Sequence, residues 1–318
     1  MRRLAKSLWL VPVLCILLPS FLHAQTLRER IKEREQRDTS PKEYTITHDG
    51  LERSYLLFVP RNYRPEQNAP LILMLHGGGG NAKQTIDTMT PMNSYADEKN
   101  VIVAYPNGTG FFDNFLLTWN AGACCGRAME KNIDDVGFIR AVVNDIKRQY
   151  SIDEKRVFAA GFSNGAMMSY RLGCEMADIF SGVASVAGAL NISCNPSQAL
   201  SVMIIHGTAD NHVPYNGGKG PIQADKRHPR VDKPVSHAID FWTRHNHCLP
   251  SPARSEIGKI QKHVYSDCNA GTSVSVFTVQ DGGHSWPGGK AYRSSEKPST
   301  EMSASKEMID FMLAYPKQ

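Results

Sequence analysis

Residues 156–160 form a short apolar run that leads directly into Gly161-Phe162-Ser163-Asn164-Gly165, and Ala166-Met167-Met168-Ser169-Tyr170-Arg171-Leu172 follows. The first stretch reads as a strand and the last as a helix, so the pentapeptide between them has to reverse the chain within a few residues. A glycine on each side of the serine fits that demand, because side chains there would collide with neighbouring backbone. The serine hydroxyl is thereby lifted clear of the sheet edge. Such a turn belongs to a layered α/β structure in which a helix packs back on the strand that precedes it. Taken alone, the five residues also fit a turn that merely ends a strand, and the rest of the chain has to discriminate.

From residue 43 onward the pattern alternates. Residues 43–48 and 51–60 read as a strand pair turned at Asp49-Gly50, and residues 70–75 form a nearly continuous apolar run, as expected of a strand buried on both faces. Further short strands are expected at 101–105, 156–160, 182–187, 201–205 and 273–279, with helices at 134–150, 164–174, 232–247 and 303–314. The fold class is therefore α/β, with a mostly parallel central sheet flanked by helices. The Gly- and Pro-bearing segments 106–133 and 213–231 each follow a strand and precede a helix, which places them at the carboxyl edge where ligands bind in such sheets.

The first residues stand apart. Arg2, Arg3 and Lys6 precede an apolar stretch over 8–21 interrupted by Pro12 and Pro19, and Ala24 offers a small residue before Gln25, so residues 1–24 read as a signal peptide. The rival reading, an uncleaved membrane anchor, is disfavoured by the short run and its prolines, so no stable membrane anchor is expected after cleavage. Cleavage lowers the formal charge from +5 to about +2. That excess is too small and dispersed for a nucleic-acid partner. Residues 25–42 carry charges of both signs with few apolar groups and read as a charged linker, leaving 43–318 as one catalytic domain and the chain as an exported, extracellular or periplasmic protein.

An acyl-transfer serine needs a base, a carboxylate that orients the base, and donors for the developing oxyanion. Asp210 ends Ile204-Ile205-His206-Gly207-Thr208-Ala209-Asp210, just past a strand, and His284 lies in Gly282-Gly283-His284-Ser285-Trp286, just past another. Both are expected at the carboxyl edge beside Ser163. Asp178 and Asp225 are the rival carboxylates, and His206 is expected to structure the loop that holds Asp210. His76-Gly77-Gly78-Gly79-Gly80 follows the central strand, and its bare backbone suits an oxyanion loop, with Gly77 and Gly78 as donors beside the amide of Asn164. A phosphate loop would require Gly-Lys-Ser/Thr where Asn81-Ala82-Lys83 stands. His245-Asn246-His247-Cys248 lacks zinc spacing and Cys248 has an expected disulfide partner, so no metal is expected there. Asp134-Asp135 is expected to cap the following helix, with a role at the cleft as the alternative. Phe111, Phe112, Phe115 and Trp119 crowd the loop before Cys124, and Trp286 follows the candidate base. Trp119 and Trp286 are the candidate substrate contacts, with loop anchoring as the rival role.

Seven cysteines are present, six of them beyond the leader. An even number in an exported chain implies disulfides. Cys174 ends the helix that starts at Ser163 and Cys194 precedes the next strand at the same far edge, and Cys248 and Cys268 stand in the same relation. The expected pairs are therefore Cys174 with Cys194 and Cys248 with Cys268, while adjacent Cys124 and Cys125 either bridge each other or stay reduced.

Together the His76 to Gly80 run, Trp119-Asn120-Ala121-Gly122-Ala123-Cys124-Cys125-Gly126, Asp134-Asp135-Val136-Gly137-Phe138, the Ser163 turn, the His206 to Asp210 segment with Val213-Pro214-Tyr215, and the His284 to Gly289 segment resemble a family of secreted esterases. That family has the α/β-hydrolase fold and includes polyhydroxybutyrate depolymerases, feruloyl esterases and acetyl xylan esterases; the resemblance spans roughly residues 45–315. It implies a Ser163-Asp210-His284 triad that hydrolyses carboxylic esters through an acyl-enzyme without metal or organic cofactor. The implied partner is an ester substrate, from a plant cell wall or a polyester oligomer. Gly78 stands where several members have a cysteine, which retains a backbone donor but not a disulfide. The competing class is a catalytically silent α/β-hydrolase scaffold acting as a surface or carbohydrate-binding protein.

Overall fold

A computed structural model describes residues 39–89, 91–111, 115–222, 228–291 and 296–318. The expected leader, most of the charged linker, Phe112 and Asp225 lie outside the described residues. The chain is already in strand at Lys42.

Ten strands form one sheet: β1 (Lys42–His48), β2 (Leu51–Phe58), β3 (Ala69–Leu75), β4 (Ile102–Pro106), β5 (Ile152–Phe162), β6 (Gly182–Val186), β7 (Ser201–Gly207), β8 (Ala253–Ile257), β9 (Ile260–Tyr265) and β10 (Val274–Val279). Their order across the sheet is β1-β2-β4-β3-β5-β6-β7-β10-β9-β8. From β4 to β10 the neighbours run parallel, and antiparallel strands border this block on both sides. The helices among the described residues are α1 (Ala82–Thr88), α2 (Met92–Lys99), α3 (Gly126–Glu130), α4 (Asp135–Gln149), α5 (Asn164–Glu175), α6 (Val235–His245) and α7 (Ala304–Ala314). The mostly parallel sheet expected from the sequence is thus present.

The central strands carry apolar residues at successive positions because both faces are covered. In β3, Leu71, Leu73 and Leu75 join a core with α4, α5 and α6, while Ile72 and Met74 join a second core with α1, α2 and α7. The period-two alternation of a strand thus feeds two helical layers at once. On α4, Phe138, Ile139, Val142, Val143 and Ile146 form the buried stripe, each large side chain worth about 1.5–3 kcal/mol on burial. Asp134 starts that helix by accepting from the Gly137 amide at 2.9 Å, as an N-cap does.

All six cysteines among the described residues are paired. Cys174–Cys194 and Cys248–Cys268 join as the topology predicts, and Cys124–Cys125 forms a bridge between neighbours across a cis peptide bond.

Candidate active site

The strand-to-helix turn at Ser163 is as tight as the glycines imply. A Cβ on Gly161 would run into the Gly165 backbone, and one on Gly165 would run into the Leu75 and His76 carbonyls, so β3, β5 and α5 can meet only with glycine at both positions. Ser163 itself has φ 55° and ψ −118°, a setting that L-residues rarely adopt. It occupies the N-cap position of α5, yet its hydroxyl makes no capping bond and is 2.9 Å from His284 Nε2.

The turns after β7 and β10 are bonded to each other. The Thr208 amide donates to the Val279 carbonyl and the Ala209 amide to the Gly282 carbonyl, at 3.0 and 2.9 Å. This juxtaposition brings Asp210 against the loop that carries His284. Asp210 Oδ2 lies 2.8 Å from His284 Nδ1, so Nδ1 carries the proton and Nε2 is left to accept the Ser163 O–H. Oδ1 accepts from the His212 and Val213 amides, both at 2.8 Å. Burial by itself would raise the Asp210 pKa, but hydrogen bonds from His206 and His284 outweigh it and hold the carboxyl well below the usual range. Asp210 therefore remains charged beside the His284 ring. His206 has the supporting place expected of it: its Nε2 is 2.8 Å from the Val213 carbonyl oxygen and 3.4 Å from Asp210 Oδ2. Asp178, the rival carboxylate, forms an exposed ion pair with Arg140.

The oxyanion candidates converge on the same place. A Cβ built on Gly77 would lie 3.6 Å from the Ser163 Cβ, and one on Gly78 would lie 3.6 Å from the Asn164 Cβ, so bare backbone faces the turn. The Gly79 amide is spent on the Leu117 carbonyl at 2.7 Å and Gly80 on Gly77 at 2.9 Å, which pins the loop from behind. His76 completes the support with Nδ1–H donating to the Gly77 carbonyl at 2.8 Å and Nε2 accepting from the Gly108 amide at 2.9 Å. Burial pushes its pKa down to about 4, so the ring stays neutral at ordinary pH.

The two tryptophans are not open to a ligand, contrary to the expectation that they contact substrate. Trp119 is fully buried, its indole N–H donating to the His76 carbonyl at 3.0 Å. Its backbone amide donates to Asn164 Oδ1 at 2.7 Å and its carbonyl accepts from Asn164 Nδ2 at 3.1 Å. Trp286 is likewise buried and donates to Ser305 Oγ at 3.1 Å, which in turn donates to the Met89 carbonyl at the same distance. Both anchor loops, because each indole is surrounded by core and needs its one donor satisfied. Among the described residues the phenylalanines left exposed are Phe111 and Phe115, between the bridged residues Thr109 and Thr118, with the Arg127 guanidinium 4.9 Å over the Phe111 ring.

Several residues support the site from outside the Ser163-His284-Asp210 line. Asp135 is wholly buried and bonds Arg53 Nη2 at 2.8 Å and the Asn120 amide at 2.7 Å, while the same Arg53 nitrogen reaches the Asn107 carbonyl at 3.0 Å. Asp134 is thus the cap and Asp135 a cross-brace behind the cleft. Burial pushes the Asp135 carboxyl up and the Arg53 guanidinium down, and each charge opposes the other's shift. Glu296 accepts from the His284 amide. His212 packs on the His284 ring, and its only sequence signal was proximity to Asp210.

A family model described as esterase PHB depolymerase matches residues 53–214. Feruloyl esterase C of Emericella nidulans is 30% identical over 242 residues, covering 73% of this chain and 76% of that enzyme. Feruloyl esterase B of Piromyces equi is 30% identical over 244 residues, 75% of this chain, and the chain spans 44% of that longer protein. Among solved structures, acetyl xylan esterase from Aspergillus awamori superposes with a TM-score of 0.57 at 13% identity, over 86% of this chain and 99% of that one, a likeness of fold.

Proposed function

The chain belongs to the esterase PHB depolymerase family, and from that premise we propose that it is a serine carboxylesterase in which Ser163 is the nucleophile, His284 the base and Asp210 the orienting acid. The observation that carries this reading is the unbroken line from Ser163 Oγ through His284 to Asp210, with bonds of 2.9 and 2.8 Å. Ser163 attacks the ester carbonyl as its proton passes to His284 Nε2, and the carbonyl oxygen becomes an oxyanion facing the amides of Gly77, Gly78 and Asn164. Each such donor is worth about 2.7–4 kcal/mol in the transition state. His284 then protonates the departing alkoxide, leaving an acyl-Ser163, and a water activated by the same imidazole releases the acid. Asp210 stabilises the imidazolium in both steps without taking its proton.

The substrate class follows from the relatives' names and the open surface. Feruloyl esters of the plant cell wall are the leading class, with Phe111 and Phe115 available to an aromatic or apolar acyl group. Acetylated xylan and hydroxyalkanoate oligomers come next. Three disulfides suit an oxidising compartment, in keeping with export under the leader.

The test is a panel of methyl ferulate, acetylated xylan, short p-nitrophenyl esters and hydroxybutyrate oligomers, offered to the wild type and to Ser163→Ala. The wild type is expected to hydrolyse methyl ferulate, and Ser163→Ala to lose about 10⁴-fold or more in kcat with its thermal midpoint kept. A variant that turns over at the wild-type rate would remove Ser163 from the mechanism. A folded wild type inert to the whole panel would favour the silent scaffold.

A further inference from the structure

His212 follows Asp210 by two residues, and its ring lies against His284 with centroids 4.6 Å apart and planes inclined by 26°. Phe162, the residue before Ser163, packs on the same imidazole at 4.8 Å and 40°. Hydrogen bonds to Asp210 and Ser163 hold the two ring nitrogens of His284, but rocking through its χ1 and χ2 torsions can still tilt the ring. Rings packed on the imidazole remove that freedom. The His212 backbone is itself pinned: its amide donates to Asp210 Oδ1 at 2.8 Å and its carbonyl accepts from Arg230 Nη2 at 3.0 Å, while Arg230 Nε reaches buried Asp232 at 2.8 Å. Among the described residues the His212 imidazole makes no hydrogen bond, so packing on His284 is what orients it.

We propose that His212 is a positioning residue for ester hydrolysis, holding His284 in the plane that joins Ser163 to Asp210 and remaining uncharged while His284 carries the proton. The inference rests on the triad reading given above. A second imidazolium stacked on the first would repel the charge that develops on His284 in both steps, so the ring has to be neutral when the reaction runs. Its surroundings favour that state: partial burial and the neighbouring His284 lower its pKa, with Arg230 acting in the same direction and Glu296 and Asp210 opposing. Among the described residues these are the charged and titratable groups that act on His212: His284 from the turn after β10, Glu296 before α7, Asp210 from its own turn, and Arg230 before α6. One short turn, 210–213, therefore supplies both the carboxylate at the edge of the base and the ring on its face.

The experiment measures kcat and KM for p-nitrophenyl acetate between pH 4.5 and 9 in the wild type, His212→Ala and His212→Phe, with thermal midpoints alongside. His212→Ala is expected to lose about tenfold in kcat, with KM within twofold, because a base freed to tilt misaligns the proton transfer. His212→Phe, which keeps a flat ring, is expected to recover kcat to within about threefold. In the wild type the acid limb of kcat/KM should be steeper at its low-pH end than in His212→Phe, because protonation of His212 adds a second order in protons that the variant lacks. Wild-type kcat in His212→Ala, a His212→Phe as slow as His212→Ala, or a second-order acid limb surviving in His212→Phe would each overturn the proposal. If the wild type fails to hydrolyse the ester, the esterase reading itself falls and this one with it.

Discussion

Ser163 sits at φ 55° and ψ −118°, a conformation that costs a non-glycine residue about 1–3 kcal/mol. The surrounding backbone over-determines it, since Gly161 and Gly165 allow β3 and β5 to approach the turn and the Ser163 amide is held by the Val186 carbonyl at 2.9 Å. The strain exposes the hydroxyl to His284 where it could have capped α5. His76 offers a test of the scaffold behind it. Its folded pKa of about 4 lies below the value of about 6.5 for a free imidazole, so between those limits the unfolded chain binds more protons than the folded one. Its contribution is complete above about pH 6.5 and is lost as pH falls toward 4, worth about 3 kcal/mol across the window. Urea midpoints at pH 7, 5.5 and 4.5 should therefore fall in the wild type, and His76→Asn should start lower and show a shallower fall; equal slopes would acquit His76. At this scale the meeting of Ser163, His284 and Asp210 in one hydrogen-bonded line was legible, because each follows an apolar strand in a glycine-bearing turn. The choice between substrate contact and loop anchoring for Trp119 and Trp286 was not legible, because an aromatic residue in a loop has the same sequence signal whether it faces a ligand or plugs the core.

The loops around Ser163 are joined by side chains outside the Ser163-His284-Asp210 line. The Asn164 carboxamide grips both backbone groups of Trp119, the Trp119 indole holds the His76 carbonyl, and Asp135 ties the Asn120 amide to Arg53 beneath. The Arg53–Asp135 pair is buried, so removing one partner leaves an uncompensated charge. Asp135→Ala should cost about 3–5 kcal/mol in chemical denaturation, whereas Asp134→Ala, which removes a partly exposed cap, should cost about 1 kcal/mol. Equal losses would mean that the brace contributes no more than the cap. The long amphipathic α4 and the buried strands of the parallel block could be read from sequence because burial on one helical stripe, or on both faces of a strand, leaves a clear apolar pattern. Helices α1 and α2 were missed because they are short and cover the sheet with few residues, among them Met89, Met92 and Ala96. The hairpin β8–β9 was missed because β8 is exposed along its whole length and carries polar groups where a buried strand would carry apolar ones.

Across the described residues, Ser163, Asp210 and His284 lie at one edge of the sheet and two disulfides staple elements at the other. Cys174 ends the very helix that Ser163 begins, so the Cys174–Cys194 bridge fixes the far end of α5, and Cys248–Cys268 ties the end of α6 to the approach to β10. Each closes a loop of 20 residues in sequence separation, for which chain entropy predicts about 3 kcal/mol. Replacing Cys248 and Cys268 together by serine should lower stability by that order while leaving KM within twofold, and an unchanged denaturation midpoint would refute the stapling role. These two pairs were legible because strand and helix order alone fixes which ends meet. The Cys124–Cys125 bridge was not, because adjacency in sequence permits either redox state. The measurement that bears most directly on the central claim is intact-protein and peptide mass after exposure to a fluorophosphonate. One adduct per chain is expected, located on the peptide containing Ser163 and absent from Ser163→Ala. A folded protein that takes up no label, or takes it up elsewhere, would contradict it.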